Sequence, residues 1–527
     1  ARWSSPGYAD LMVGTSADVA FADAWLKGVR NFDVRAFYQS ALKDATVVSP
    51  LAGAGRKGLQ RAIFHGYTDT GVEEGLSWSM DGYINDFAIS NLAAALAQQP
   101  AADDPYAARH TDDAAYFRQR ALGYANLFDP AVGFFVGRDS AGDWHHDAED
   151  FDPLRWGGDY TETDAWNMAF HVPQDGAGLA ALYGGRAALA AKLDAFFATP
   201  GEFHVGSYGE PIHEMLEARD ARMGQYGHSN QPSHHIIYMY DYAGQPWKTQ
   251  DKVRDVLSRL YVGSEIGQGY PGDEDNGEMS AWYLFSAAGF YPLRMGTPEY
   301  VIGAPYFPHM DIALENGKHL VIDAPAVSDV NRYVQGLRVN GRPWHRLTLP
   351  HALLAQGATL EFAMGPRPSR WASDEAALPP SLTTQGKPQP LRDLVDERLG
   401  HARGTPAIPG LPLLFSNDSG AEVVLPSVST TIDWRFAQPR QVTVLTLTSG
   451  TTAAAPSSWQ LQASLDGQHW LALDTRRHEH FAWPQQTRAF VVQEPGEYAY
   501  YRLQIDAAAT DAPRALAEIE LLGPASR

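Results

Sequence analysis

Three acids stand side by side at Asp273, Glu274 and Asp275 in YPGDEDNGEMSAWYLFSAAGFYP (270–292), between glycines and ahead of a dense apolar run. At the start of a helix over 277–290, such carboxylates cap backbone N–H groups and oppose the helix dipole. Three carboxylates this close also repel one another, and flanking glycines imply backbone drawn tightly against something. A bound cation, or a raised pKa suited to general-base work, is the chemical alternative to a cap. A second cluster, GGDYTETDAWNMAFHVPQD (157–175), sets Asp159, Glu162 and Asp164 among Tyr160 and Trp166. Thr161 and Asp164 fit a capping box, whereas a carboxylic acid beside aromatic rings can stay protonated at neutral pH and act as a general acid. The third cluster, PIHEMLEARDARMGQYGHSNQPSHH (211–235), places His213 and Glu217 on one face of a helix, with Glu214 beside them. A zincin would need a second histidine where Glu217 stands. Oxygen ligands from Glu217, Asn230 and Gln231 suit calcium, while His228, His234 and His235 read singly as hydrogen-bonded core or helix-end histidines.

Other chemistries have no visible seat. There is no GxSxG, no Walker loop and no GxGxxG after a strand. Cysteine is absent, so any metal must be held by oxygen or imidazole. With 62 acidic against 41 basic residues, the chain lacks the footprint for holding phosphate backbones, and nucleic acid is not an expected partner. No apolar run reaches membrane-spanning length, and the first ten residues lack the charged and apolar regions of a signal peptide. A mature secreted protein would have lost that signal. The 14 Trp and 24 Tyr, many beside Asp, Asn or His, match the lining of a sugar-binding cleft, although large enzymes of other kinds share this composition.

The elements that must position these clusters come from hydrophobic periodicity. Over 10–290 apolar residues recur at three-to-four spacing in segments 19–29, 84–99, 114–128, 187–198, 232–243, 248–262 and 277–290, which predicts successive helices arranged as a toroid of pairs. From 291 to 370 short β-branched segments between turns predict an antiparallel β layer packed on the helices. Residues 371–394, rich in Pro and Ser, read as a linker, and 395–527 as a separate β-sandwich. The expected class is thus multidomain α+β.

The ordered motifs YTETDAW, HVPQDGAGLAALYGG, GQYGHSNQPSHHIIYMYDYAGQPWKTQ and GDEDNGEMSAWYLFSAAGFYP resemble glycoside hydrolase family 92, the calcium-dependent exo-acting α-mannosidases, over roughly residues 10–370. The resemblance implies an (α/α)6 barrel, an inverting reaction on mannose-terminated glycans such as high-mannose N-glycans, and calcium at the mannose hydroxyls. It places the general acid at Glu162 and the base at Asp273 or Asp275, with Asp275 the first choice. It further implies His213, Glu214 and Asn230 as sugar contacts and Glu217 and Gln231 as calcium ligands. The family's N-terminal β-sandwich and the start of its barrel have no counterpart here. The expectation is that this chain is one fragment of a longer protein, with that portion as a partner. SSWQLQASLDGQHWLALD, YYRLQID and ALAEIELLG are similar to discoidin-like domains, implying a carbohydrate-binding module or a packing domain. Secretion, or a bacterial periplasmic location, goes with this reading. A mannosyl-phosphate hydrolase and a non-catalytic carbohydrate-binding protein are the alternatives. A phosphate leaving group needs little protonation, so the presence of Glu162 argues against the first.

Overall fold

The computed structural model describes residues 12–525, apart from 52, 102, 262–268, 396–399 and 508–512. The helices are α1 (Ala17–Leu26), α2 (Val34–Thr46), α3 (Leu59–His65), α4 (Gly75–Gln98), α5 (His110–Arg120), α6 (Ala165–Met168), α7 (Gly176–Tyr183), α8 (Arg186–Ala198), α9 (His213–Ala221), α10 (Met239–Tyr242), α11 (Pro246–Arg259), α12 (Glu278–Ala288) and α13 (His351–Ala355). Side chains start several of them. Asp33 caps α2 by accepting from the N–H groups of Arg35 and Ala36, and Asp164 caps α6 by accepting from Asn167. The 24-residue α4 is buried over most of its circumference, so it serves as a central post rather than a surface helix. One core joins Leu76, Met80 and Tyr83 of α4 to Leu179 of α7, Leu193 and Phe196 of α8, Val253 and Leu257 of α11 and Trp282 of α12.

Two of the expected helices are interrupted. The segment 232–243 is a series of short turns, Gln231–Ser233 and Ile236–Tyr238, before α10. Pro232 opens it, and the rings of His234 and His235 tie it to the carbonyls of His228 and Phe170. The segment 114–128 is α-helical only to Arg120, where α5 ends, and continues as a short 3-10 turn over Gly123–Asn126.

Beyond α12 lies a five-stranded sheet in the order His309–Ala313, His319–Asp323, Ala358–Gly365, Tyr333–Val339, Arg342–Trp344. The expectation of a purely antiparallel layer is corrected here. Ala358–Gly365 runs parallel to His319–Asp323 because the chain first makes the outer hairpin, then crosses through α13 and inserts between the two strands. Leu320, Ile322, Leu337, Leu360 and Phe362 form its core together with Ala288 at the end of α12.

The segment expected as a linker is fastened along its length. Thr383 donates its N–H and hydroxyl to Asp175, Ser381 accepts from the N–H of Ala177, and Arg392–Asp393 pairs with Arg514–Gly523. Two further sheets follow. One has the order Arg392–Asp393, Arg514–Gly523, Val444–Ser449, Thr487–Val491, with Val423–Leu425 also on Arg514–Gly523. The other runs Gly400–Thr405, Thr430–Gln441, Glu497–Ile505, Trp459–Ser464, Leu471–Arg476. Both contribute to one buried core, with Trp434, Trp459, Tyr501 and Leu503 against Leu445, Phe490, Leu516 and Ile519. The outer side of the first sheet supplies Val444, Ala489 and Leu522 to a cluster with α1, α2, α4 and α5, so these sheets rest on the helices. Arg476 reinforces the junction with an ion pair to Asp112 at 2.6 Å. A cavity of about 410 Å³ lies between the two parts, lined by Arg56, Trp78, Arg120, Arg138 and Glu520 among others. No helix among the described residues is long and apolar enough to cross a membrane.

Candidate active site

Glu162 sits on the turn between Tyr160 and α6 with a left-handed backbone, φ 49°, a conformation that costs energy in any residue carrying a Cβ. The neighbours hold it there. The N–H of Thr161 donates to Ser77 Oγ at 2.9 Å, and its hydroxyl donates to Glu74 at 2.7 Å. The N–H of Glu162 itself donates to the Tyr208 hydroxyl at 2.7 Å, and that hydroxyl lies 3.4 Å from the other oxygen of Glu74. Asn230, 7% exposed, then reaches across to donate Nδ2 to Glu162 Oε2 at 3.1 Å. Burial pushes the Glu74 carboxyl up, and the charges of Glu73 and Glu162 add to this against the opposing bonds from Thr161 and Tyr208.

The three consecutive acids divide their work. Glu274 accepts from the N–H groups of Gly277 and Ser280 and from the Ser280 hydroxyl, so the capping of α12 falls to it alone. Those bonds hold its carboxyl below the ordinary range. Asp275, Asn276 and Gly277 all have positive φ, 55°, 56° and 104°, which turns Asp275 away from the helix it precedes. Its carboxylate accepts from Gln231 Nε2. Asp273 and Asp275 are both exposed to water.

His213 and Glu217 meet as their spacing predicts, at 3.2 Å, and Glu214 approaches the other ring nitrogen at 3.0 Å. Partial burial opposes the charge on His213, but Glu214, Glu217 and Asp273 outweigh it and raise its pKa. Burial raises Glu214, and the charge of Glu162 adds to the shift. The electrostatic neighbours therefore link the helix α9 group to Asp273 on one side and Glu162 on the other. Glu214 Oε2, Glu217 Oε2 and Ser229 Oγ are buried without a hydrogen-bond partner among the described residues. Gly272 closes over them: a Cβ there would come within 2.9 Å of Glu217 Oε2 and 2.6 Å of Ser229 Cβ.

All eight residues expected from the sequence fall in this neighbourhood, but two amides are already engaged. Asn230 holds Glu162, and Gln231 turns its NH2 to Asp275. His228 bonds the hydroxyls of Tyr226 and Tyr261 at 2.7 and 2.8 Å, and His234 bonds Glu278 at 2.8 Å, which fits the reading of these rings as satisfied core groups. Glu74, Ser77, Tyr208 and Ser229 were not legible. Glu74, Ser77 and Tyr208 are separated from their partners by tens of residues, Ser229 carries no local mark, and the Glu73–Glu74 pair ahead of an apolar run is the one local signal.

The catalytic-domain model of glycosyl hydrolase family 92 matches residues 1–366. This chain belongs to glycosyl hydrolase family 92. It is similar to a solved inverting mannosidase of this family from Bacteroides thetaiotaomicron, at 36% identity and TM-score 0.62, over 72% of this chain and 50% of that one. A solved α-mannosidase of the family from the same organism is 30% identical with TM-score 0.60, over 71% of this chain and 45% of that one. An uncharacterised secreted glycosidase of Arthroderma benhamiae is 26% identical over 397 residues, 70% of this chain and 47% of the relative. The chain thus spans about half the length of the relatives it matches.

Proposed function

We propose that this chain carries the catalytic carboxylates of a calcium-dependent, inverting exo-α-mannosidase acting on terminal α-linked mannose of glycans such as high-mannose N-glycans. One observation carries the reading. Two adjacent residues, Asn230 and Gln231, hold Glu162 and Asp275, which lie 68 and 44 residues away from them in sequence. Neighbouring residues of one short turn thereby hold the acid and the base. Inversion needs the two carboxyl groups ~6.5–9.5 Å apart, so that a water fits between sugar and base.

In this assignment Glu162 Oε2 is engaged by Asn230, which leaves Oε1 to carry the proton to the leaving oxygen. Asp275 is open to water, and the amide donor on its Oδ2 orients the carboxylate for work as a base. Asp273, facing His213, is the alternative base. The oxygens of Glu214, Glu217 and Ser229 that lack partners fit an oxygen-preferring cation, and Gln231 would join them through its carbonyl. Bound there, calcium would supply positive charge to hold sugar hydroxyls among these acids. His213 and Glu214 line the same approach as sugar contacts. The reading takes the helices as part of an (α/α)6 toroid and the C-terminal sheets as a discoidin-like carbohydrate-binding module. It places the protein outside the cytoplasm, secreted or in a bacterial periplasm, in keeping with the secreted description of the fungal relative.

The test is release of mannose from α-1,2-, α-1,3- and α-1,6-linked mannobioses, with the first-formed anomer followed by NMR. The expected product is β-mannose, formed with calcium present, abolished by EDTA and restored by calcium. Binding without release would sink the enzymatic reading, and α-mannose as the first product would sink inversion.

A further inference from the structure

We propose that His145, His146 and Asp159 form a second metal site, for a divalent transition metal of the zinc class, separate from the oxygen-rich group of Glu214 and Glu217. One ligand atom from each of the three lies within 4.8 Å of the others. The two imidazoles are stacked, with centroids 4.4 Å apart and an interplanar angle of 22°. His145 Nδ1 lies 2.8 Å from Asp159 Oδ1. Four-coordinate zinc with bonds of ~2.1 Å places its ligands ~3.4 Å apart. Closing the span to that value requires the His145 and His146 rings to turn out of their stacked arrangement, so that both lone pairs meet one ion. His145 has room for it, with a side chain 41% exposed.

Two imidazoles and one carboxylate are the donors of zinc and its neighbours, whereas calcium selects oxygen. The ligands are also held in advance. Gly137 accepts from the His145 N–H at 2.9 Å and donates its own N–H to Asp159 Oδ2 at 3.0 Å, so a single residue positions both. No other residue type fits there, because a Cβ on Gly137 would lie 2.7 Å from Asp159 Oδ1. The strand-like bridge between Arg138 and Trp144 closes the loop that brings His145 back to Gly137. Asp159 is 4% exposed, which keeps its carboxylate from water and makes a cation the natural partner for its remaining lone pairs. Arg155 is the opposing charge nearby, and Asp150 offsets it.

The site also has a place in the architecture. The backbone carbonyl of Asp159 accepts from the N–H and hydroxyl of Ser77, the residue whose Oγ receives the Thr161 N–H next to Glu162. A metal on Asp159 would clamp the turn that carries Glu162 without touching it.

The experiment is a titration of the chelator-treated full chain with zinc by calorimetry, and with cobalt by its visible absorption, beside circular dichroism and thermal melting. The expected result is one tight equivalent of zinc, an intense four-coordinate cobalt spectrum and a higher Tm with zinc, none of them reversed by excess calcium. The His145→Ala/His146→Ala pair should weaken this binding roughly tenfold or more and remove the cobalt band. His146→Gln, which leaves the His145–Asp159 hydrogen bond in place, should do the same with an unchanged fold. Gly137→Ala should also weaken binding, by displacing the carboxylate. Wild-type zinc affinity in a folded His146→Gln protein, or displacement of the metal by calcium, would overturn the proposal.

Discussion

Two groups of carboxylates in this molecule differ in everything except charge. Around Glu162 and Asp275 each acid has a dedicated donor, from Asn230 or Gln231, and Asp275 opens to water. In the C-terminal sheets Glu518 and Glu520 lie on one strand, buried beside Asp393, with only Ser416, the Asp418 N–H and Thr446 as donors. Burial pushes Glu518 up to about 9 and Glu520 to about 8, and the mutual repulsion with Asp393 adds to it. The raised values favour the protonated forms, in which these two acids serve as hydrogen-bonding core residues. The lesson is that clustering of acids does not make a site. A dedicated donor that positions each carboxylate, together with access to water at Asp275, distinguishes the first group from the second.

The comparison breaks most visibly at the reacting acids. Glu162→Gln and Asp275→Asn should each lower kcat by about 10²–10⁴-fold on a mannobiose. With an aryl mannoside whose leaving group needs no proton, the Glu162→Gln loss should largely disappear and the Asp275→Asn loss should persist. Steady-state kinetics on both substrates reads the difference, and equal losses on both would end the division into acid and base. A smaller effect is expected from Asn230→Ala, which leaves both acids in place but frees Glu162. Misplacement of a reacting group by about 1 Å can cost ~10²-fold, and the loss should fall mainly on kcat. A pure KM effect would instead return Asn230 to the role of a sugar contact.

The smallest effect lies in the other group. Because the folded state holds the Glu518 proton, its stabilising contribution is full below the unfolded value of 4.5 and is lost as pH rises through about 9. Glu518→Gln keeps the hydrogen-bonding shape and removes this titration. It should raise Tm by roughly a few degrees at pH 8–9, leave it unchanged at pH 4, and leave mannoside turnover untouched at neutral pH. A drop in turnover with an unchanged Tm would contradict the assignment of these acids to the core.

Local features were legible where neighbours in sequence suffice. The period of apolar residues gave α1, α8, α11 and α12 close to their observed bounds, and the i, i+4 spacing gave the contact of His213 with Glu217. The capping box expected of Thr161 and Asp164 is not formed: Asp164 is itself the N-cap of α6, and the Thr161 hydroxyl goes to Glu74. The interruption at 232–243 was hidden because its apolar pattern is helical, while the partners it is tied to, such as Phe170, lie far away in sequence. The mixed sheet was hidden for a related reason. Short strands bounded by turns do not reveal that Ala358–Gly365 inserts between two earlier ones. Glu74 and Tyr208 carry no local mark of their role, since both act through the backbone and side chain of residues near 161 and 162.

The sequence by itself determined which chemistries were open: no thiol, no nucleotide loop, and three groups of acids and histidines suited to proton transfer and oxygen-ligated metal. It also determined the helices that carry them, because helical periodicity and capping are properties of residues a few positions apart. Glu274 caps through bonds to residues only three and six positions on, whereas only the tertiary structure decided that Asp275 meets a residue from another turn. It likewise decided that Asn230 and Gln231 couple Glu162 to Asp275 and that Gly137 joins His145 to Asp159. These are distances between remote segments, and a linear pattern holds no record of them until packing brings the segments together.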